Sequence, residues 1–296
     1  MDSHPSPWVA RDAPRLIRDV IATPGAIRIV TQPILDLVDG RIAGYEALSR
    51  FDRRIGWTPQ YWFQCAQRCG LGARLEAAAI DAALSVPFRP PATVLTVNVS
   101  PSTLGTRALG EVLPGDLSGL MFELAENEPI AGDPTLPVTI RNYRRRGARF
   151  ALDDVGTGHD RLADVRLVEP ELIKLDRSLI IGLEFDPVRA AAADALIHAA
   201  MSTGAAVCAE GVETLQQLRW LHRAGVTQVQ GYLLGKPQPG WATATLSRDD
   251  TIRQARAPGL LERFEQSRPR ASTSGQRSLR TKAPHAPVRR LGPPVP

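Results

Sequence analysis

Apolar and β-branched residues dominate positions 26–37 and 42–51, and only Val38-Asp39-Gly40-Arg41 separates the two runs. An Asp-Gly pair between two such runs predicts a hairpin, so the first two strands should be antiparallel. From residue 57 the period changes. Apolar positions recur at helical spacing over 57–69 and 71–86, and a proline-rich break follows at 87–91. Beyond it, strand patterns at 94–99, 120–125, 149–153, 172–176, 206–209 and 228–233 alternate with helical ones. Those helices fall at 102–112, 136–146, 161–166, 188–202 and 215–224, with a last one at 249–266. A short helix is expected at 14–21, after a loosely ordered 1–12. The pattern predicts an α/β fold, a (β/α)8 TIM-like barrel with an antiparallel first strand and functional groups at the C-terminal strand ends. A doubly wound open sheet is the competing architecture. The expected divisions are an N-terminal extension with a short helix (1–25), the barrel (26–246), a C-terminal helix (247–265) and a basic, disordered tail (266–296).

The polar positions of these strands carry the chemistry. Side chains alternate along a strand, so Glu46 shares a face with Arg50, Asn98 with Thr96, Glu123 with Met121, Lys174 with Asp176, and Gln230 with Gln228. The chain is organised around Phe150-Ala-Leu-Asp-Asp-Val-Gly-Thr-Gly158, where Asp153 and Asp154 close an apolar run. Adjacent carboxylates repel, and burying them without partners is expensive. A single acid at a strand end is ordinarily a helix cap or a surface charge. Asn98 could likewise cap a helix starting at Pro101, and Lys174 could merely neutralise its neighbours. Solvation does not explain the same placement on seven successive strands. The converging set is Glu46, Asn98, Glu123, Asp153, Asp154, Lys174, Glu210 and Gln230. Its five carboxylates are balanced by Lys174 and two divalent cations. All the donors are oxygens, which selects hard ions, Mg²⁺ or Mn²⁺. Paired ions ~3.5–4 Å apart clamp a phosphate and activate a water, so the set fits phosphodiester hydrolysis. Arg50 is placed to bind a phosphate oxygen.

Composition changes this picture little. The 296 residues carry a net charge of +5, but seven Lys and Arg and no acid lie in 266–296, which leaves residues 1–265 at −2. A basic tail can touch nucleic acid, yet this one is rich in Pro and Ser and reads as a disordered extension. Nucleic acid is therefore not an expected partner. The Ala-rich run 190–209 is interrupted by Asp194, His198 and Gly204, and residues 1–20 lack the apolar centre of a signal peptide. No membrane segment is expected, and the chain reads as cytoplasmic. Cys65, Cys69 and Cys208 form neither a disulfide framework nor a zinc set and read as packing thiols.

Several motifs occur in a specific order: Gln32-Pro-Ile34, Tyr45-Glu-Ala-Leu-Ser-Arg50, Val97-Asn-Val-Ser-Pro101, Phe122-Glu-Leu-Ala-Glu126, Leu152-Asp-Asp-Val-Gly-Thr-Gly158, Ile173-Lys-Leu-Asp176, Ala209-Glu-Gly-Val-Glu213 and Val229-Gln-Gly-Tyr232. Together they resemble the EAL-domain family of cyclic di-GMP phosphodiesterases, from about residue 27 to 239. The resemblance implies that Glu46, Asn98, Glu123 and Asp153 hold one metal and that Asp153, Asp154 and Glu210 hold the second, with Asp153 bridging. By the same resemblance Lys174 orients or deprotonates the attacking water, and Glu46 and Glu210 belong to the catalytic set. Glu213 and Gln230 support the water network and substrate, Gln32, Leu48 and Arg50 join Gln230 in binding substrate, and Glu126 anchors the loop after Asp154. Cyclic di-GMP would be hydrolysed to linear 5′-pGpG with Mg²⁺ or Mn²⁺ by a homodimer. Val155 departs from the family's usual Phe, and His159-Asp160-Arg161 from its Tyr-Ser-Ser, in the loop thought to couple dimerisation to catalysis. Residues before 27 are too few for a sensory or cyclase domain, so control is expected from dimerisation, substrate supply or a regulatory protein partner. A catalytically silent cyclic di-GMP-binding or protein-interaction module is the alternative, and retention of every matched ligand argues for the enzyme. Another Mg²⁺-dependent barrel enzyme is a third reading, disfavoured by the acid pair and the hairpin.

Overall fold

A computed structural model describes residues 7–124, 133–155, 162–183 and 185–257, with 7–11, 154, 162 and 163 described by backbone alone. The strands are β1 (Arg28–Asp36), β2 (Ile42–Arg50), β3 (Val94–Val99), β4 (Leu120–Leu124), β5 (Arg149–Val155), β6 (Leu172–Leu175), β7 (Ala206–Ala209), β8 (Gln228–Val229) and β9 (Gln238–Pro239). From β2 to β8 each pairs parallel with the next, while β1 pairs antiparallel with both β2 and β8 and so closes the barrel. The hairpin signal was sound: Asp36 Oδ1 accepts from Val38 N at 2.6 Å and sets the β1–β2 turn. β9 adds one rung outside the barrel, Thr31 opposite Gln238.

The helices are α1 (Pro7–Ala22), α2 (Pro59–Arg68), α3 (Gly72–Leu84), α4 (Pro101–Leu104), α5 (Arg107–Val112), α6 (Leu136–Arg145), α7 (Leu162–Val168), α8 (Arg177–Ile180), α9 (Pro187–Met201), α10 (Leu215–Arg223) and α11 (Arg248–Arg256). None of the described helices is long and apolar enough to cross a membrane.

Alternation sorts the strand residues into two layers. Val97, Phe122, Leu124, Leu152 and Ile173 face outward and meet Ile80, Leu104, Ile140, Ile197 and Leu218 of the helices. Burying a Leu, Ile or Phe side chain contributes about 1.5–3 kcal/mol, so this shell is the main source of stability. Inside the barrel, Ile34, Met121, Ala151, Leu172 and Cys208 form a small apolar plug. Two residues further along their strands stand Glu123, Asp153, Lys174 and Glu210, one layer nearer the C-terminal rim.

Four sequence expectations need correction. The first helix runs over Pro7–Ala22 rather than 14–21, and its buried Ile17 joins Trp62 and Leu75 in a second apolar cluster with α2 and α3. The helix expected at 102–112 is two, because Thr106 starts α5 with its own cap, accepting from Leu109 N. The eighth strand stops at Val229 instead of running to 233. A Cβ on Gly231 would lie 2.1 Å from Val212 O, so only glycine lets the backbone pass there, and the chain turns with Leu234 N donating to Gly231 O. The last helix, expected to 266, ends at Arg256, because Ala257 is extended; residues from 258 onward lie outside the described residues. The cysteines are free, with Cys65 and Cys208 buried.

Candidate active site

The register of the barrel lines up the predicted donors. Gln32 stands opposite Glu46, and Asn98 opposite Glu123, on neighbouring strands. Strict alternation would send one of two adjacent acids outward, yet β5 carries Asp153 and Asp154 together. The strand is irregular at this point: Leu152 pairs with Ile173 but Val155 with Leu175, so an extra residue is accommodated at the acid pair. A bulge of that kind re-aims side chains next to functional sites. The Asp154 side chain itself lies outside the described residues, as does Glu126.

Lys174 is the centre. It is 0% exposed, and its Nζ lies 3.0 Å from Glu123 Oε2, 3.5 Å from Asp153 Oδ1 and 3.7 Å from Glu46 Oε2, with Glu210 Oε1 closest of all. One ammonium therefore faces four carboxylates, brought by β2, β4, β5 and the end of β7. Burial works against the Lys174 charge, but the four carboxylates outweigh it and hold the ammonium well above its usual pKa. Burial likewise pushes the Glu123 carboxyl well above the ordinary range and raises Glu210 to about 8, with Asp153 and Glu46 adding to the effect and Lys174 opposing it. The cluster holds more negative charge than its single cation can offset.

A polar frame fixes the acids. Gln230 Nε2 donates to Glu46 Oε2 at 2.5 Å and lies 3.0 Å from Gln32 Oε1, while Gln32 Nε2 donates to Gly235 O at 3.0 Å. Asn98 Nδ2 donates to Glu46 Oε1 at 3.1 Å. Asn98 is exposed at the rim, and the cap position of α4 belongs to Ser100, so capping is not its task. Leu48, Arg50 and Asn98 line a cavity of about 660 Å³ together with Phe63, Gln64 and Glu76. The Arg50 guanidinium is half-buried there and donates to Ser49 O at 2.9 Å; desolvation lowers its pKa.

One predicted site residue, and one residue that alternation put on the Lys174 face, stand apart from the cluster. Glu213 is exposed and pairs with Arg177 at 2.8 Å across the ends of β6 and β7. Asp176, on the Lys174 face by alternation, instead caps α8 by accepting from Ser178 N. Sequence reasoning also missed the cavity wall supplied by α2 and α3, including Phe63, Gln64, Gln67 and Glu76. An acid at 76 among Leu75, Ala77, Ala79 and Ile80 was the available signal.

Whether these residues fit a cation can be judged from the cluster itself. Among the described residues no three His, Cys, Asp or Glu side chains stand in ready ligand geometry, and the carboxylates close on Lys174. Glu123 Oε1 and Gln230 Oε1 are nonetheless buried with no hydrogen-bond partner. Orphaned acceptors beside excess negative charge, with oxygen donors only, fit hard divalent cations.

Residues 18–237 match the family described as the EAL domain. Probable cyclic di-GMP phosphodiesterase PdeB of Escherichia coli is 29% identical over 221 residues, which cover 70% of this chain and 42% of that protein. Cyclic di-GMP phosphodiesterase RocR of Pseudomonas aeruginosa is 28% identical over 242 residues, covering 73% of this chain and 58% of that one. The chain thus spans less than two thirds of the length of either relative. Of solved structures, the manganese/cy-diGMP complex of Klebsiella pneumoniae BlrP1 superposes with a TM-score of 0.63 at 25% identity, over 75% of this chain and 60% of that one. The c-di-GMP complex of the PaMucR phosphodiesterase shares the fold, with a TM-score of 0.67 at 24% identity over 78% and 98% of the two chains. Both the family match, which spans most of the 296 residues, and the barrel closed by an antiparallel first strand lead to one assignment: the chain belongs to the EAL domain family.

Proposed function

We propose that this chain is a metal-dependent phosphodiesterase that hydrolyses cyclic di-GMP to linear 5′-pGpG. The observation that carries the reading is the buried group around Lys174, where four carboxylates from separate strands face one ammonium and Glu123 Oε1 is left without a partner. No requirement of the fold explains such a concentration of charge inside a barrel. Glu46, Asn98, Glu123 and Asp153 would hold one Mg²⁺ or Mn²⁺, and Asp153, Asp154 and Glu210 the second. Such ions, when bound, polarise phosphoryl oxygens and make water a stronger nucleophile.

The chain's own residues supply the rest. Gln230, braced by Gln32, fixes one Glu46 oxygen while Asn98 fixes the other. Arg50, at the cavity wall, receives a phosphate oxygen, and Leu48 packs on the nucleotide beside it. Lys174 donates a hydrogen bond that orients the attacking water. The water oxygen forms a bond to phosphorus, the bond to one ribose 3′ oxygen breaks, and that oxygen takes the proton. Glu213, held by Arg177, flanks the rim, and Glu126 would anchor the loop after Asp154. The names and complexes of the relatives support the substrate, and we read the working unit as a cytoplasmic homodimer under the control of a regulatory protein.

The test is direct. Purified chain incubated with cyclic di-GMP and Mn²⁺ or Mg²⁺ should yield the linear dinucleotide on chromatography, and chelator or Glu46→Ala should abolish it. Nucleotide that binds but stays intact over hours in either metal would replace this reading with that of a silent binding module.

A further inference from the structure

The acid on the buried face of α3 has no part in the chemistry above. Glu76 is 8% exposed, among Leu75, Ala79, Ile80 and Ala83. An ionised carboxylate on an apolar helix face destabilises a fold unless it is hydrogen-bonded. Its oxygens find partners on a different element: Oε2 accepts from Ser100 N at 2.8 Å and Oε1 from Ser100 Oγ at 2.6 Å. These two contacts fall on one residue, so the acid grips Ser100 at two points.

The clamped residue is itself unusual. Ser100 is the N-cap of α4 and has the extended backbone of that position, where a serine hydroxyl ordinarily accepts from an N–H of the first turn. Here it makes no such bond; the hydroxyl is turned to Glu76, to which it donates. β3 ends at Val99, so a single residue separates the clamp from Asn98. Among the described residues, Asn98 is the most exposed of the donors gathered at the rim, and its side chain bonds there to Glu46 alone, at 3.1 Å. Two residues before the clamp, Asn98 takes its place from where the end of β3 is fixed.

We infer that Glu76 is a positioning residue: by gripping Ser100 it holds the end of β3 so that Asn98 is presented to the metal-binding rim. This rests on the reading of the site given above. Manganese binding followed by electron paramagnetic resonance tests it without any turnover, with hydrolysis of cyclic di-GMP against Mn²⁺ concentration as a second readout. Glu76→Gln removes one acceptor and the charge while keeping the shape, Ser100→Ala removes the hydroxyl alone, and Ser100→Thr restores a hydroxyl. Residues that orient metal ligands typically contribute 10–100-fold to metal affinity or activity, so Glu76→Gln should weaken Mn²⁺ binding by about 10-fold or more. Ser100→Ala should weaken it less and Ser100→Thr should match the parent, with thermal midpoints close to the parent throughout. Parental Mn²⁺ binding by Glu76→Gln would overturn the inference, as would a loss of binding that merely tracks a fall in thermal midpoint. A parent chain that binds no Mn²⁺ would instead overturn the proposed function itself.

Discussion

At the scale of single residues, Lys174 sets the balance of the site. Its ammonium is fully buried and faces four carboxylates. Removing one partner of a buried charge group costs about 3–5 kcal/mol, because the remaining charges are left uncompensated. Each kcal/mol moves the melting temperature of a domain this size by roughly 2–4 °C, so Lys174→Met in chelator should melt roughly 6–12 °C or more below the parent. Added Mn²⁺ should recover more of the loss in the variant than it gains in the parent, since the dication then supplies the missing positive charge. Equal melting of parent and variant in chelator would show that the acids do not depend on the lysine. Gln230→Ala is a milder probe. It frees Glu46 Oε2 from its bond to Gln230 Nε2, and the expected result is a drop of about 10-fold or more in kcat/KM with little change in melting. The residues whose polarity breaks an apolar strand, Glu46, Glu123, Asp153 and Lys174 among them, could be read from sequence because a period of two says which way each must point. Glu76 could not. An acid on a helix is most often a solvated one, and its true face depends on where α3 packs.

At the scale of elements, the hairpin was legible because its turn chemistry is local, whereas strand ends were not. The stop after Val229 follows from the close approach of Gly231 to Val212, a contact between the segments that follow β7 and β8. The irregularity in β5 is equally tertiary, since it exists only relative to β6. A second close approach gives a test. Gly44 sits opposite Val94 in the seam between β2 and β3, the strands that carry Glu46 and Asn98, and a Cβ there would lie 2.6 Å from Val94 O. That contact is to backbone, which cannot swing away. Gly44→Ala must therefore part the two strands or strain them, at about 1–3 kcal/mol for an overpacked site. Urea unfolding should show the loss as a lower midpoint with an unchanged slope. Activity should fall further than the loss of folded protein explains, because the seam sets the spacing of two donors.

At the scale of the whole molecule, the barrel and the regions around it can be separated by experiment. The strongly basic stretch 266–296 contributes none of the candidate site residues, so a chain ending at Gln266 should retain the parent's turnover of cyclic di-GMP. A large loss would give the tail a part in catalysis that its composition does not indicate. The expected homodimer calls for an apolar surface, and the connection from α8 to α9 offers one. Phe185 is 81% exposed and Val188 79%, with Ile181 at 48% close by. Single exposed apolar residues are ordinary, but three within residues 181–188, running from the end of α8 into the first turn of α9, two of them nearly bare, would be a liability for a monomer. The connection also follows β6, the strand that carries Lys174, so contact there would bear on the strand that supplies the central ammonium. Phe185→Glu places a charge that a buried apolar interface cannot accommodate. Sedimentation at matched concentrations should show a dimer for the parent and a shift toward monomer for the variant, with far-UV circular dichroism unchanged because the ring is already in water within one copy. A dimer that survives Phe185→Glu would move the interface elsewhere on the barrel. If turnover falls in step with the dimer fraction, association and chemistry are coupled through the rim.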